Sequence, residues 1–325
     1  MAPLPESSIH MCGRSLMPSP QTISRIAIIG FGEVGGIFGR DFAAQGIEVS
    51  VFDILLASQP HRQQMLAKAN SCGVKAEDSL RDSLRTADLV ISAVTSSSAL
   101  DVAQEAGPIL HREQIFLDIN SVSPETKRRA SACVESNSGK GGARFVEAAV
   151  MAAVPGKRLR VPMLLGGMHA MAASEALRSL GMDATPLSDQ IGVASAVKMC
   201  RSVLIKGLEA LTVECLFAAR QYGAEDAVLE SLAATYPGMG WKDQLPDYLI
   251  NRVAEHGQRR AAELREVAHT LQEVGVEPTM ALAAAHRQEH LAAQLAGSDF
   301  PVQRADQFSW RLLADAIERY RRRTE

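Results

Sequence analysis

At 325 residues, with 46% hydrophobic and 22% charged residues, the chain has an ordinary globular composition and room for two domains. A formal net charge of −3 and the lack of any long basic block argue against a nucleic-acid partner. No apolar run reaches the roughly 20 residues that a membrane-spanning helix needs, and five cysteines without CxxC spacing read as free thiols of a reducing compartment, so a cytoplasmic protein is expected.

Residues 1–22 carry Pro3, Pro5, Pro18 and Pro20 among serines, with no basic segment ahead of an apolar core. They read as a flexible tail, not a secretory signal, and Met11 or Met17 could be the start of the chain. The organising stretch follows. Ile26-Ala27-Ile28-Ile29 is a short apolar run, suited to a strand buried on both faces. It ends in Gly30-Phe31-Gly32-Glu33-Val34-Gly35, and a helical pattern continues through Phe42. In such a strand–turn–helix, Gly30 permits the tight turn, Gly32 lets the backbone approach a pyrophosphate, and Gly35 lets the helix pack closely on the strand. The helix N-terminus offers its free N–H groups to the phosphates. A second strand, Ile47–Phe52, ends at Asp53, about 20 residues on, where a carboxylate can accept from ribose hydroxyls and repel a 2′-phosphate. NAD is therefore the expected cofactor, with NADP possible if an arginine from another loop intervenes. A glycine turn alone also suits another nucleotide, S-adenosylmethionine, or no ligand.

Strands are expected at Arg25–Gly30, Ile47–Asp53, Leu89–Val94, Gln114–Ile119, Arg144–Val150, Pro162–Gly167 and Asp183–Leu187. Helical stretches at 63–70, 79–86, 98–110 and 123–137 intervene, the rhythm of a Rossmann-type doubly wound sheet over residues 23–190. Ligands in such sheets lie beyond the carboxyl ends of the strands. This singles out Val94, Thr95 and Ser96 after one strand, Asn120 and Ser121 after the next, and the segment Glu147–Ala153. Ser98 and Ser123 are expected to cap the helices that follow them. Residues 191–325 show no strand pattern. Long alanine-rich amphipathic stretches (192–222, 224–235, 244–274, 278–295 and 306–323) give an all-helical second domain, whose faces suit a homodimer interface. Ser188-Asp189 could cap its first helix, on which Cys200 and Cys215 are expected as small buried hydrophobes.

Taken in order, GFGEVG, DINSVSP at Asp118–Pro124, LLGG at Leu164–Gly167 and GVASAVKM at Gly192–Met199 resemble the β-hydroxyacid dehydrogenase family. That family includes 3-hydroxyisobutyrate and 6-phosphogluconate dehydrogenases, and the helical half is similar to a less-characterised bacterial branch. The resemblance implies an NAD(P)-dependent oxidoreductase acting on a small-molecule hydroxy acid or its oxo counterpart. It implies that Lys198 gives a proton to the carbonyl oxygen as hydride arrives, and takes it back in the reverse direction; an ammonium suits both tasks. From the residues alone, Lys198 could equally be a snorkelling surface lysine.

Departures from the family pattern fall in the substrate shell. Asn120 stands where the family has a serine, and an amide can still donate and accept. Ser121 stands where it has threonine. Glu147-Ala148-Ala149-Val150-Met151-Ala152-Ala153 is more apolar than the family's Asp-Ala-Pro-Val-Ser-Gly-Gly, which hints at a larger substituent on the substrate. Arg201 and Ser202, at i+3 and i+4 from Lys198, take the place of a family asparagine. Arg201 could clamp a carboxylate or be a solvated helix charge. A further family lysine–aspartate pair aligns with Ala262-Glu263, so its lysine is missing; Arg259 and Arg260 could replace the charge or form a solvated basic face. His286 and His290 fit a zinc spacing without a third ligand, and no metal is expected. An imine reductase is a second reading, which Lys198 argues against; a non-catalytic dinucleotide sensor is a third.

Overall fold

The structure, a computed structural model, describes residues 22–136, 142–300 and 307–324. Residues 1–21 of the expected tail, with Cys12, residue 137 of the fourth expected helix and residue 306 of the last lie outside them. In chain order the α/β half runs β1 (Arg25–Ile29), α1 (Glu33–Ala44), β2 (Glu48–Phe52), α2 (His61–Cys72), β3 (Lys75–Ala76), α3 (Leu80–Leu84), β4 (Leu89–Ser92), α4 (Ala99–Ala106), β5 (Ile115–Asp118), α5 (Pro124–Glu135) and β6 (Arg144–Val150). It continues through the short α6 (Val154–Lys157), β7 (Met163–Gly166), α7 (Ala170–Ser179) and β8 (Ala184–Ser188). The helical half is α8 (Val193–Gln221), α9 (Glu225–Thr235), α10 (Leu245–Glu273), α11 (Thr279–Gly297) and α12 (Trp310–Thr324).

The strands form one sheet in the order β3-β2-β1-β4-β5-β6-β7-β8. β4 and β5 are buried at every position because helices cover both faces, which is why their sequences are apolar up to their last residues, Ser92 and Asp118. Along β1 the side chains alternate between two cores. Ile26 and Ile28 pack with Phe38, Phe42, Leu165 and Leu177, whereas Ala27 and Ile29 pack with Phe116 and Phe145. Phe116 and Phe145 are register partners on β5 and β6, with rings stacked 5.9 Å apart. From β1 the chain winds out to β2 and β3 on one side and to β4, β5 and β6 on the other. The crevice at that switch lies beyond the carboxyl ends of β1 and β4.

Two features depart from the expected winding. The β6–β7 pairing is antiparallel, so β7 and β8, parallel to each other, oppose the first six strands. The link from β6 to β7 contains only the four-residue α6 and a 3-10 turn, too little for the crossover that a parallel neighbour requires. Helix α7 supplies that crossover between β7 and β8; it and the two-residue β3 lack a strong enough pattern to be expected from sequence.

In the helical half, α10 packs between α8 and α11. A Cβ at Gly257 would lie 2.7 Å from the Gln288 carbonyl oxygen, so this contact between α10 and α11 needs a glycine. Arg260 is not on a solvated face. It is buried and donates through Nε to Glu209 Oε2 at 2.8 Å, with Glu209 fully buried. Cys200 and Cys215 are exposed, contrary to expectation, because α8 buries Ala194, Ser195, Met199, Lys206, Glu209, Val213 and Leu216 and turns the opposite face outward.

Candidate active site

The turn after β1 has the geometry of an anion cradle. Gly30 adopts φ +89°, and a Cβ there would meet the Ala93 carbonyl oxygen at 2.4 Å. A Cβ on Gly35 would lie 2.1 Å from the Gly30 oxygen, so the first turn of α1 rests on the glycine loop. At Gly32, by contrast, a Cβ would meet nothing within 4 Å. Among the described residues no side chain caps α1, so the N–H groups of its first turn are left for an incoming anion. Asp53 braces the turn: its Oδ2 accepts from Phe31 N at 2.7 Å and its Oδ1 from Leu55 N at 3.0 Å. Lys68 on α2 donates to the Gly32 carbonyl at 2.7 Å and sits 4.6 Å from the Phe31 ring centre. An open groove of about 530 Å³ lies between Glu33 and His256, Gly257 and Arg259 of α10, within the size range of small-molecule sites.

The loops after β4 and β5 are tied together by Asn120. Its Oδ1 accepts from Val94 N at 2.8 Å, and its Nδ2 donates to Ser92 Oγ at 2.8 Å and Asp118 Oδ1 at 2.6 Å. Asp118 is held in turn by the buried Lys127, at 3.0 Å. The Asn120 amide thus fixes the distance between two loops that flank the switch point. Thr95 bonds Ser97 and Ser98 within its own loop, and part-buried Ser96 opens a 3-10 turn. Ser98 makes no cap to α4, its hydroxyl being taken by Thr95. Ser123 does cap α5, accepting from Thr126 N at 3.2 Å, and Glu273 of α10 reaches the same helix start through Glu125 N at 3.2 Å.

Helix α8 delivers Lys198. Glu147–Val150 ends strand β6, whose bounds match the strand expected at Arg144–Val150, so only Met151–Ala153 of the segment Glu147–Ala153 lie beyond the strand; Glu147 is fully buried and caps α8. Its Oε1 accepts from Gly192 N at 2.7 Å and Ala194 N at 3.1 Å, and its Oε2 from Ser195 Oγ at 2.9 Å. Ser188 and Asp189 do not cap the helix; Ser188 Oγ accepts from Gln190 N instead. The carboxylate fills the space above Gly166, its register partner on β7, where a Cβ would lie 2.4 Å from Oε1. One turn beyond this anchor, Lys198 Nζ meets Ser121 Oγ at 2.5 Å across 77 residues of chain. Burial lowers the Lys198 pKa to about 8. Glu263 opposes that shift, and Lys127, Lys206 and Arg259 add to it.

The other candidates are more dispersed. Arg201 is exposed and Ser202 part-buried, and neither makes a side-chain hydrogen bond or ion pair among the described residues. Arg259 is exposed, 4.0 Å from Glu263. His286 and His290 stack at 6.1 Å, and no group of three His, Cys, Asp or Glu side chains gathers among the described residues. Sequence reasoning missed two buried charged residues, one on β6 and one on α8. Glu147 hides in a strand, its partners 45 residues away. Lys206 arrives from α8 to pair with Glu263 at 2.7 Å; a lysine inside the apolar Leu204–Leu208 stretch was the available signal.

Residues 25–121 match the family model "NADP oxidoreductase coenzyme F420-dependent", and residues 219–291 match "Domain of unknown function (DUF1932)". A solved structure of a conserved hypothetical protein from Sinorhizobium meliloti is 32% identical, covers 93% of this chain and 98% of its own, and has a TM-score of 0.75. Another, of a conserved protein of unknown function described as structurally similar to 3-hydroxyacid dehydrogenases, is 32% identical. It covers 83% of this chain and 98% of its own, with a TM-score of 0.66. The chain belongs to the β-hydroxyacid dehydrogenase-like family. The 3-hydroxyisobutyrate dehydrogenase of Pseudomonas aeruginosa is 25% identical over 228 residues, 66% of this chain and 71% of that protein. At the level of this β-hydroxyacid dehydrogenase-like family, the chain is a dehydrogenase-like oxidoreductase, and its open glycine turn fits the nicotinamide dinucleotide that such enzymes use.

Proposed function

We propose that the protein interconverts a hydroxy acid, or a related alcohol, and its oxo counterpart with a nicotinamide dinucleotide, using Lys198 as general acid and base. The observation that carries this is the meeting of Lys198 Nζ with Ser121 Oγ at the carboxyl edge of β5, the edge that also holds the glycine turn. Residues 30–35 would hold the diphosphate, Asp53 the adenosine ribose, and Val94, Thr95 and Ser96 the opposite wall. Asp53 favours NAD over NADP. The bound nicotinamide would supply or accept the hydride.

The protein's own part is proton handling and positioning. With a pKa of about 8, the Lys198 amine can hold a proton near neutral pH and also release it without a large penalty. Its ammonium would stabilise negative charge building on the substrate oxygen before protonating it. Ser121 orients the amine, and Asn120 keeps the Ser121 loop at a fixed distance from the loop carrying Val94. Ser202 and Arg201 are the proposed contacts for the rest of the substrate. The apolar Met151–Ala153 segment suits a substituent larger than that of short hydroxy acids. Residues 23–190 then form the dinucleotide-binding domain and 191–325 the substrate and dimer domain. Exposed Val197, Leu204 and Leu211 recur every seven residues on α8, a seam on which a second copy could pack.

NADH binding followed by fluorescence, then a panel of hydroxy acids assayed by NADH formation, tests the reading. Lys198→Met should lower kcat/KM by about 10²–10⁴ and leave NADH affinity intact. Unchanged turnover in that variant would refute the role of Lys198 and leave a dinucleotide-binding protein.

A further inference from the structure

We propose that Lys206 and Glu263 are a positioning pair for Lys198, with the Glu263 carboxylate as the counter-charge of the amine and Lys206 as the group that limits how much of that charge it feels. The proposal deepens the function above and rests on it for its meaning. The pair joins α8 to α10 through a 2.7 Å contact, and the Lys206 side chain is only 8% exposed. The Glu263 side chain is 31% exposed, and an ion pair buried at one end contributes little net stability compared with apolar side chains of the same volume, so stability alone does not account for it. The resemblance places a family lysine at residue 262, beside Glu263. Here that residue is alanine, and the ammonium comes from α8 instead.

The groups facing Lys198 give the pair its consequence. From α5 comes Lys127, already matched by Asp118 of β5. From α10 come Arg259 and Glu263, and from α8 itself Lys206. On β6, Glu147 is committed to the start of α8. Among the described residues, Glu263 is the carboxylate that most favours the charged amine, and Lys127, Lys206 and Arg259 oppose it. Glu263 itself resists the upward push of burial because Lys206, Lys198 and Arg259 hold its carboxyl below the usual range. Removing Glu263 leaves Lys198 among cations and favours its neutral form. Removing Lys206 releases the full negative charge of Glu263 onto Lys198 and favours its charged form. The two halves of one ion pair therefore push the neighbouring amine in opposite directions, which general loosening of the α8–α10 interface would not do.

Trace labelling with acetic anhydride between pH 6 and 11, read at Lys198 by peptide mass spectrometry in the intact protein, measures this directly. The wild-type midpoint is expected near 8. Glu263→Gln should move it down and Lys206→Met up, each by about half a pH unit or more. Lys206→Arg should hold the wild-type value, and it serves with Glu263→Gln if Lys206→Met does not fold. Shifts of the same sign in Glu263→Gln and Lys206→Met, or no shift in Glu263→Gln, would overturn the proposal. Labelling needs no turnover, so a failed pair leaves the reaction assignment standing, and a failed assay panel leaves the pair standing.

Discussion

Helices α1 and α8 both begin at a glycine, and in both the first N–H groups have no partner within the helix, yet the protein treats the two ends oppositely. The α1 start has no side-chain cap, and the position above Gly32 is empty to 4 Å. The α8 start is closed by a fully buried carboxylate that accepts three hydrogen bonds. Both solve the same electrostatic problem, the partial positive charge of a helix end. One leaves the answer to a ligand and the other supplies it from β6. An open helix end is thus a site and a filled one an anchor, and this anchor sets where Lys198 points.

Three experiments probe that contrast, beyond the Lys198 and ion-pair variants. The largest effect is expected at the anchor. Glu147→Ala strands two backbone N–H groups in the interior, the Ser195 hydroxyl keeping the Gly192 carbonyl as its acceptor, which should cost about 2–4 kcal/mol in urea unfolding. Its NADH affinity should stay near the wild-type value if α1 alone holds the diphosphate. Gly32→Ala should do the reverse. The methyl has room, so unfolding should shift by less than about 0.5 kcal/mol, while the occupied cradle weakens NADH about tenfold, or 1.4 kcal/mol. Equal losses of stability and affinity in both variants would erase the distinction between site and anchor. The mildest test is pH. Reduction needs protonated Lys198, so its rate should fall by up to tenfold per unit above about pH 8; oxidation needs the neutral amine and should rise with pH until about 8, then level off.

How far these features were readable in the sequence depends on how local they are. The glycine turn is local: Gly30, Gly32 and Gly35 announce it, and Asp53 falls where the next strand ends. The helical half declared itself through period and alanine content. Lys198 needed the order of several motifs, since its meeting with Ser121 spans 77 residues. What stayed hidden depended on distant partners. Glu147 looked like part of a substrate loop because nothing near it in sequence shows that Gly192 and Ser195 come to meet it. The reversal at β7 followed from a short link whose helix content could not be weighed from composition. Cys200 and Cys215 misled because α8 has apolar residues on both faces, and only packing decides which one is covered.

Gly166 faces Glu147 across the β6–β7 register, so their side-chain volumes share one space. Neither position can change freely by itself: a larger residue at 166 evicts the carboxylate, and a shorter one at 147 leaves the helix end bare. A change at either position therefore calls for a matching change at the other. The start of α8 thereby couples two strands and a helix, so the placing of Lys198 depends on a glycine 32 residues before it in the chain.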